Sequence, residues 1–198
     1  PVRRVLTLSL MLAVAGGCSP ADAPPPADTA PVATPAGVGS ILRLDPAFDA
    51  LVPGDTAVEK VAGGFQFTEG PLWRPVENRL WFSDVVGNVL RAVAPTGEVE
   101  VLWENAGGDS TAPAGSYIGP NGLLGEPAGT VLMAQHFNRQ IVRIDADRRT
   151  TTVVDRFEGK RLNSPNDLVF GPDGALYFTD PPYGLVGQYD DPAKELDF

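Results

Sequence analysis

Four polar residues carry most of the chemistry this sequence can offer: Glu69, Asn121, Asn166 and His136. The first three each open a short apolar run. One carboxylate and two amides make a set of hard oxygen donors. Such a set suits Ca²⁺ or Mg²⁺, not the softer nitrogen and sulfur preferences of Zn²⁺ or copper. A cation among them would also offset the charge of carboxylates brought together. Turn chemistry is the competing role for the two asparagines, because Pro120-Asn121-Gly122 and Pro165-Asn166-Asp167 are both good turn sequences. His136 is the single histidine and follows Gln135 at the end of a strand-like run. There an imidazole is either structural, or a proton shuttle or substrate hydrogen-bond partner. One histidine cannot supply several zinc ligands. No Gly-rich phosphate loop and no G-x-S-x-G elbow occurs.

These residues sit at fixed places in a repeat. Segments 69–84 (EGPLWRPVENRLWFSD), 121–135 (NGLLGEPAGTVLMAQ) and 166–180 (NDLVFGPDGALYFTD) share one plan. A polar residue leads into a short apolar run, a turn rich in Pro, Gly, Asn or Asp follows, and a second strand ends in Asp84, Gln135 or Asp180. Between them, 88–95 with 98–104, and 139–146 with 150–157, alternate apolar and polar residues as half-buried antiparallel strands do. Each unit is thus four short strands over roughly 45–50 residues, the period of a β-propeller blade. Hairpins of a β-sandwich have no reason to repeat a polar residue at one phase.

The expected fold is all-β, a propeller represented here by about three blades. The innermost strand of each blade lines a central channel, so Glu69, Asn121 and Asn166 are expected to converge there. Trp73, Trp81 and Trp103 fall in strand positions and are expected to pack between blades. Asp180 matches Asp84 and Gln135 in phase but also opens the DPPYG loop, so a structural role stands beside a functional one. Propellers close with four or more blades. The chain is therefore expected to be the N-terminal portion of a longer propeller domain, 39–198.

The N-terminal region reads differently. Arg3 and Arg4 precede an apolar run, Val5 to Ala15, too short to span a membrane. It leads to Ala15-Gly16-Gly17-Cys18, similar to a bacterial lipoprotein box, although Leu is more usual where Ala15 stands. Residues 1–17 are expected to be a lipoprotein signal peptide and Cys18 the lipidated residue; an ordinary secretory signal is the alternative. Residues 18–38 are a Pro/Ala-rich linker. The location expected is the bacterial cell envelope, lipid-anchored and facing the periplasm or exterior. Cys18 is the only cysteine, so no internal disulfide forms. The net charge of −10 argues against a nucleic-acid partner. Twenty-two Gly and 20 Pro favour turns and short strands over helices.

EGPLW with LWFSD, PNGLL with VLMAQHFNRQIVRID, and above all NSPNDLVFGPDGALYFTDPPYGL resemble the senescence marker protein/gluconolactonase/luciferin-regenerating enzyme family. The resemblance covers about residues 60–198. It implies a six-bladed propeller with one divalent cation, usually Ca²⁺, on the axis. It implies Glu69 as a metal ligand and Asn166 as a direct or water-mediated ligand and substrate contact. It implies Asn121 as a substrate or supporting residue and His136 as a pocket residue and candidate catalytic group. A later Asn ligand and an Asp ligand and base are expected beyond Phe198. The activity implied is hydrolysis of a sugar lactone, a small-molecule substrate. A non-catalytic ligand- or protein-binding propeller and a related organophosphate or ester hydrolase are the alternatives, since fold does not settle function.

Overall fold

Turn residues cut the chain into short antiparallel strands, and a computed structural model describes residues 39–198. The expected signal segment 1–17, Cys18 and the linker 18–38 lie outside the described residues. The first sheet runs β1 (Thr68–Arg74), β2 (Arg79–Asp84), β3 (Val89–Val93) and β4 (Val99–Glu104), neighbours in chain order. The second repeats this order with β5 (Pro120–Gly125), β6 (Val131–Gln135), β7 (Gln140–Ile144) and β8 (Thr150–Val154). A small hairpin, β9 (Arg156–Phe157) with β10 (Lys160–Arg161), leads to the pair β11 (Leu168–Phe170) and β12 (Leu176–Phe178). The chain is therefore all-β, with two four-stranded propeller blades and the inner hairpin of a third.

The register bears out the repeat. Leu72 faces Trp81, Leu124 faces Leu132 and Val169 faces Tyr177, so the three inner hairpins are in one phase. The first two blades each carry an irregularity at the same place, between Glu69 and Leu72 and between Pro120 and Leu123. Bulges bend a strand and re-aim its side chains, and here they fall beside the polar residues of interest. Both β2–β3 and β6–β7 turns close with a left-handed residue, Asn88 at φ 55° and Arg139 at φ 58°. Asn tolerates that region readily. Arg139 is held there by side-chain donation from Nε to the Leu162 carbonyl at 2.6 Å and from Nη1 to the Ala193 carbonyl at 2.8 Å.

The core lies between blades. Trp81, Leu90 and Ala92 of the first sheet pack against Leu123, Val131, Met133, Val142 and Ile144 of the second. Leu132, Ala134 and Ile141 face the other way, onto Leu168, Leu176 and Phe178. Successive residues of β6 thus point into two different cores, as a strand's alternation requires. That is why VLMA is continuously apolar where a half-buried strand would alternate. Trp81 is buried and its Nε1–H donates to Glu77 at 2.8 Å, while Trp103 packs at the edge of the same core. Trp73 departs from expectation: it is 48% exposed. Leu72 takes the core-facing position of β1, so the next residue must turn away.

Candidate active site at the leading ends of the inner strands

The inner strands are brought side by side by glycines. Gly70 follows Glu69 at φ 56°, and a Cβ there would overlap the Asn121 carbonyl oxygen. Gly122 follows Asn121, and a Cβ there would lie 2.7 Å from the Asn166 carbonyl oxygen. The Gly122 N–H donates to that oxygen at 2.8 Å. The Ser83 hydroxyl, opposite Glu69 and fully buried, donates to the Asn121 carbonyl at 2.6 Å. Each leading end is thus tied to the next, and Glu69, Asn121 and Asn166 come together as neighbours on three successive hairpins. Neither asparagine side chain bonds the backbone of its own turn: Asn121 meets His136 and Asn166 meets Thr179.

The three side chains differ in setting. Glu69 is exposed beside a cavity of about 420 Å³, also lined by Lys60, Thr68 and Phe82. Asn166 is half-buried, and its Oδ1 accepts a long hydrogen bond of 3.3 Å from the Thr179 hydroxyl. Asn121 is 4% exposed, and its Nδ2 lies 3.0 Å from His136 Nε2. His136 is 1% exposed, with Nδ1 at 2.8 Å from the Tyr117 carbonyl. A carbonyl only accepts, so Nδ1 carries the proton and Nε2 accepts from the Asn121 amide. Burial holds the imidazole below its ordinary range, partly offset by the bond to Tyr117. The ring is neutral and both its nitrogens are engaged. Phe67 and Tyr117, each just ahead of a leading end, meet edge to face at 5.3 Å.

The closing polar residues have another use. Asp84 Oδ1 accepts from the N–H groups of Gln66 and Phe67, each at 3.1 Å, and from Gly87 at 3.3 Å. Asp180 Oδ2 accepts from the Asn163 N–H at 2.7 Å. Gln66 and Asn163 each stand three residues before the leading polar residue of their blade. Both aspartates therefore brace the segment that delivers that residue. Burial raises the Asp180 carboxyl, offset by N–H donation from Asn163 and Ser164 and by the Arg139 charge. Gln135, in the same phase, instead donates from Nε2 to the Ala106 carbonyl at 2.6 Å.

Sequence reasoning missed Ser83, Thr179, Tyr117 and the two glycines. The hydroxyls had a legible signal, since FSD and FTD place Ser83 and Thr179 at one phase. The Tyr117 carbonyl had none, because a backbone group leaves no trace in residue type.

Residues 67–194 match the model of the SMP-30/gluconolactonase/LRE-like region. The chain belongs to that family. A gluconolactonase of Zymomonas mobilis subsp. mobilis is 38% identical over 164 residues, covering 81% of this chain and 46% of the relative. A gluconolactonase structure from Xanthomonas campestris superposes with a TM-score of 0.57 at 33% identity, over 71% of this chain and 42% of that one. A second solved structure, of a gluconolactonase-family protein, gives 0.61 at 31% identity, over 76% and 47%. This family member spans less than half the length of the relatives it matches.

The donor set can be tested against the cation the family implies. Glu69 offers an exposed carboxylate and Asn166 an amide oxygen with only one long hydrogen bond. Asn121 spends its amide nitrogen on His136, which leaves its oxygen available. All three offer oxygen, and the set fits a hard divalent cation. Among the described residues no cluster of three or more His, Cys, Asp or Glu side chains is suited to a metal.

Proposed function

We propose that this chain contributes to the site of a metal-dependent sugar-lactone hydrolase. What supports the reading is the side-by-side placement of the backbone at Glu69, Asn121 and Asn166, the leading ends of three successive inner strands. Membership of a family that includes gluconolactonases supports it. In the proposed site Glu69 and Asn166 hold a divalent cation, expected to be Ca²⁺, and Asn121 contacts substrate. When bound, the cation supplies Lewis-acid polarisation of the lactone carbonyl and charge stabilisation for the oxyanion.

The residues of this chain perform the rest by position. Asn121 offers a fixed hydrogen-bonding group at the floor of the site. Phe67 and Tyr117, edge to face just ahead of two leading ends, offer an apolar surface to the bound ring. Water adds to the carbonyl carbon, the ring C–O bond breaks, and the ring oxygen leaves with a proton as the hydroxyl of a hydroxy acid. His136, with both nitrogens committed, is not poised to take the water's proton. The two alternatives from sequence, a binding propeller and an organophosphate or ester hydrolase, have no specific observation in their favour.

Acid release from a sugar lactone by the protein with its full set of blades, followed by pH-stat with Ca²⁺ and then with excess chelator, tests the reading. Hydrolysis above the spontaneous rate that chelator removes is expected. Hydrolysis indifferent to chelator excludes the metal-dependent mechanism.

We also propose lipid anchoring at Cys18 in the bacterial cell envelope, supported by the lipobox-like Ala15-Gly16-Gly17-Cys18. Cys18→Ser is expected to move the protein from the membrane to the soluble fraction. Unchanged membrane association would contradict it.

A further inference from the structure

His136 is a buried titratable group that the proposed reaction does not use. Its surroundings nevertheless specify its chemistry. The Tyr117 carbonyl, 2.8 Å away, fixes the proton on Nδ1. The lone pair this leaves on Nε2 meets Asn121 Nδ2 at 3.0 Å. The two amide ends of an asparagine are nearly identical in shape, so only hydrogen bonding decides which faces a ligand. Were Asn121 flipped, its oxygen would face an imidazole lone pair and repel it. The base of the side chain is held as well, since Gly184 packs so closely against the His136 Cβ that no side chain fits between them. With Nδ2 given to His136, Asn121 Oδ1 makes no hydrogen bond within the protein and is left as a free acceptor.

We propose that His136 is a positioning residue that orients the Asn121 amide, presenting Oδ1 as a hydrogen-bond acceptor to the bound molecule. Asn121 thereby selects ligands that offer a hydroxyl donor at this point, as a polyhydroxylated lactone does, over ligands that offer only an acceptor. The proposal rests on the reading of Asn121 as a substrate contact. It also assigns the sole histidine a role in specificity and not in proton transfer.

¹⁵N-imidazole NMR, with the His136 signals assigned by their loss in His136→Gln, reports this ring. The expected spectrum has a protonated Nδ1 and a bare Nε2, unchanged from neutral to mildly acidic pH. In Asn121→Asp, with folding checked by circular dichroism, the carboxylate faces Nε2 and both nitrogens are expected to be protonated at neutral pH. A ring protonated on Nε2, or one that titrates as free histidine does, overturns the proposal. So does an Asn121→Asp ring identical to wild type. In turnover, His136→Phe is expected to raise KM for a sugar lactone by on the order of tenfold with a smaller effect on kcat. His136→Gln, whose amide oxygen can still accept from Asn121, is expected to recover part of that loss. Equal KM in the wild type and both variants overturns the specificity role. The NMR result needs no turnover. A chain with the expected ring but no lactonase activity sinks the lactonase reading alone; a wrong ring with activity intact sinks only this one.

Discussion

Gly122→Ala tests the close approach that brings the site together. Gly122 has no positive φ, so alanine is acceptable to the backbone there and the cost is one of space. The added Cβ would stand 2.7 Å from the Asn166 carbonyl oxygen and 3.0 Å from the Asp167 Cα, where ordinary contact begins at 3.4 Å. The second and third inner strands must then separate by about 0.7 Å. The Gly122 N–H to Asn166 bond, now 2.8 Å, would stretch to the limit of hydrogen bonding. Overpacking costs about 1–3 kcal/mol and the weakened bond about 0.5–1.5 kcal/mol. Together they predict a loss of about 2–4 kcal/mol, or a fall of roughly 1–2 M in the urea midpoint. Calcium affinity measured on the same variant should fall too, because Asn166 moves away from Glu69. Gly54→Ala is the control, with nothing within 4 Å of its Cβ and no positive φ; it should stay within about 0.5 kcal/mol of wild type. A Gly122→Ala protein as stable as the control, with unchanged calcium affinity, would refute the account of how the leading ends are held.

Two further outcomes follow from the braces and the buried ring. Asp84→Ala leaves the Gln66 and Phe67 N–H groups without their acceptor. It should cost about 2–4 kcal/mol in thermal or urea unfolding and speed amide exchange at both residues. His136 is held below its ordinary value of 6.5, so the folded state resists protonation that the unfolded state accepts. Its stabilisation is complete above that value and is lost as pH falls below it, by at most about 1.4 kcal/mol per pH unit. Urea unfolding at neutral and mildly acidic pH should show this slope in wild type and a shallower one in His136→Gln; parallel slopes would contradict it.

The fold was largely legible in the sequence because a blade repeats. Leu72, Leu124 and Val169 occupy one register, and the periodic polar residues mark it in the sequence. Trp73 was misread because strand assignment does not say which face a residue takes, and the bulge beside Glu69 resets the alternation. The leading residues Glu69, Asn121 and Asn166 were legible by phase. The closing residues Asp84 and Asp180 were equally periodic, yet they brace backbone. Phase shows that positions are equivalent, and only hydrogen-bond partners show what they do. The role of His136 was hidden for the same reason, since it depends on the Tyr117 carbonyl, brought near because the turn after β6 pairs with the loop that leads into β5.

The central claim is that residues on different blades form one cation site. Calorimetric titration of Ca²⁺ into the wild type, Glu69→Gln and Asn166→Ala tests it most directly, with Glu77→Gln, in the opposite hairpin turn, as control. The account predicts one binding event in the wild type and in the control, weakened at least about tenfold in each site variant. Equal binding in all four proteins, or loss in the control alone, would contradict it.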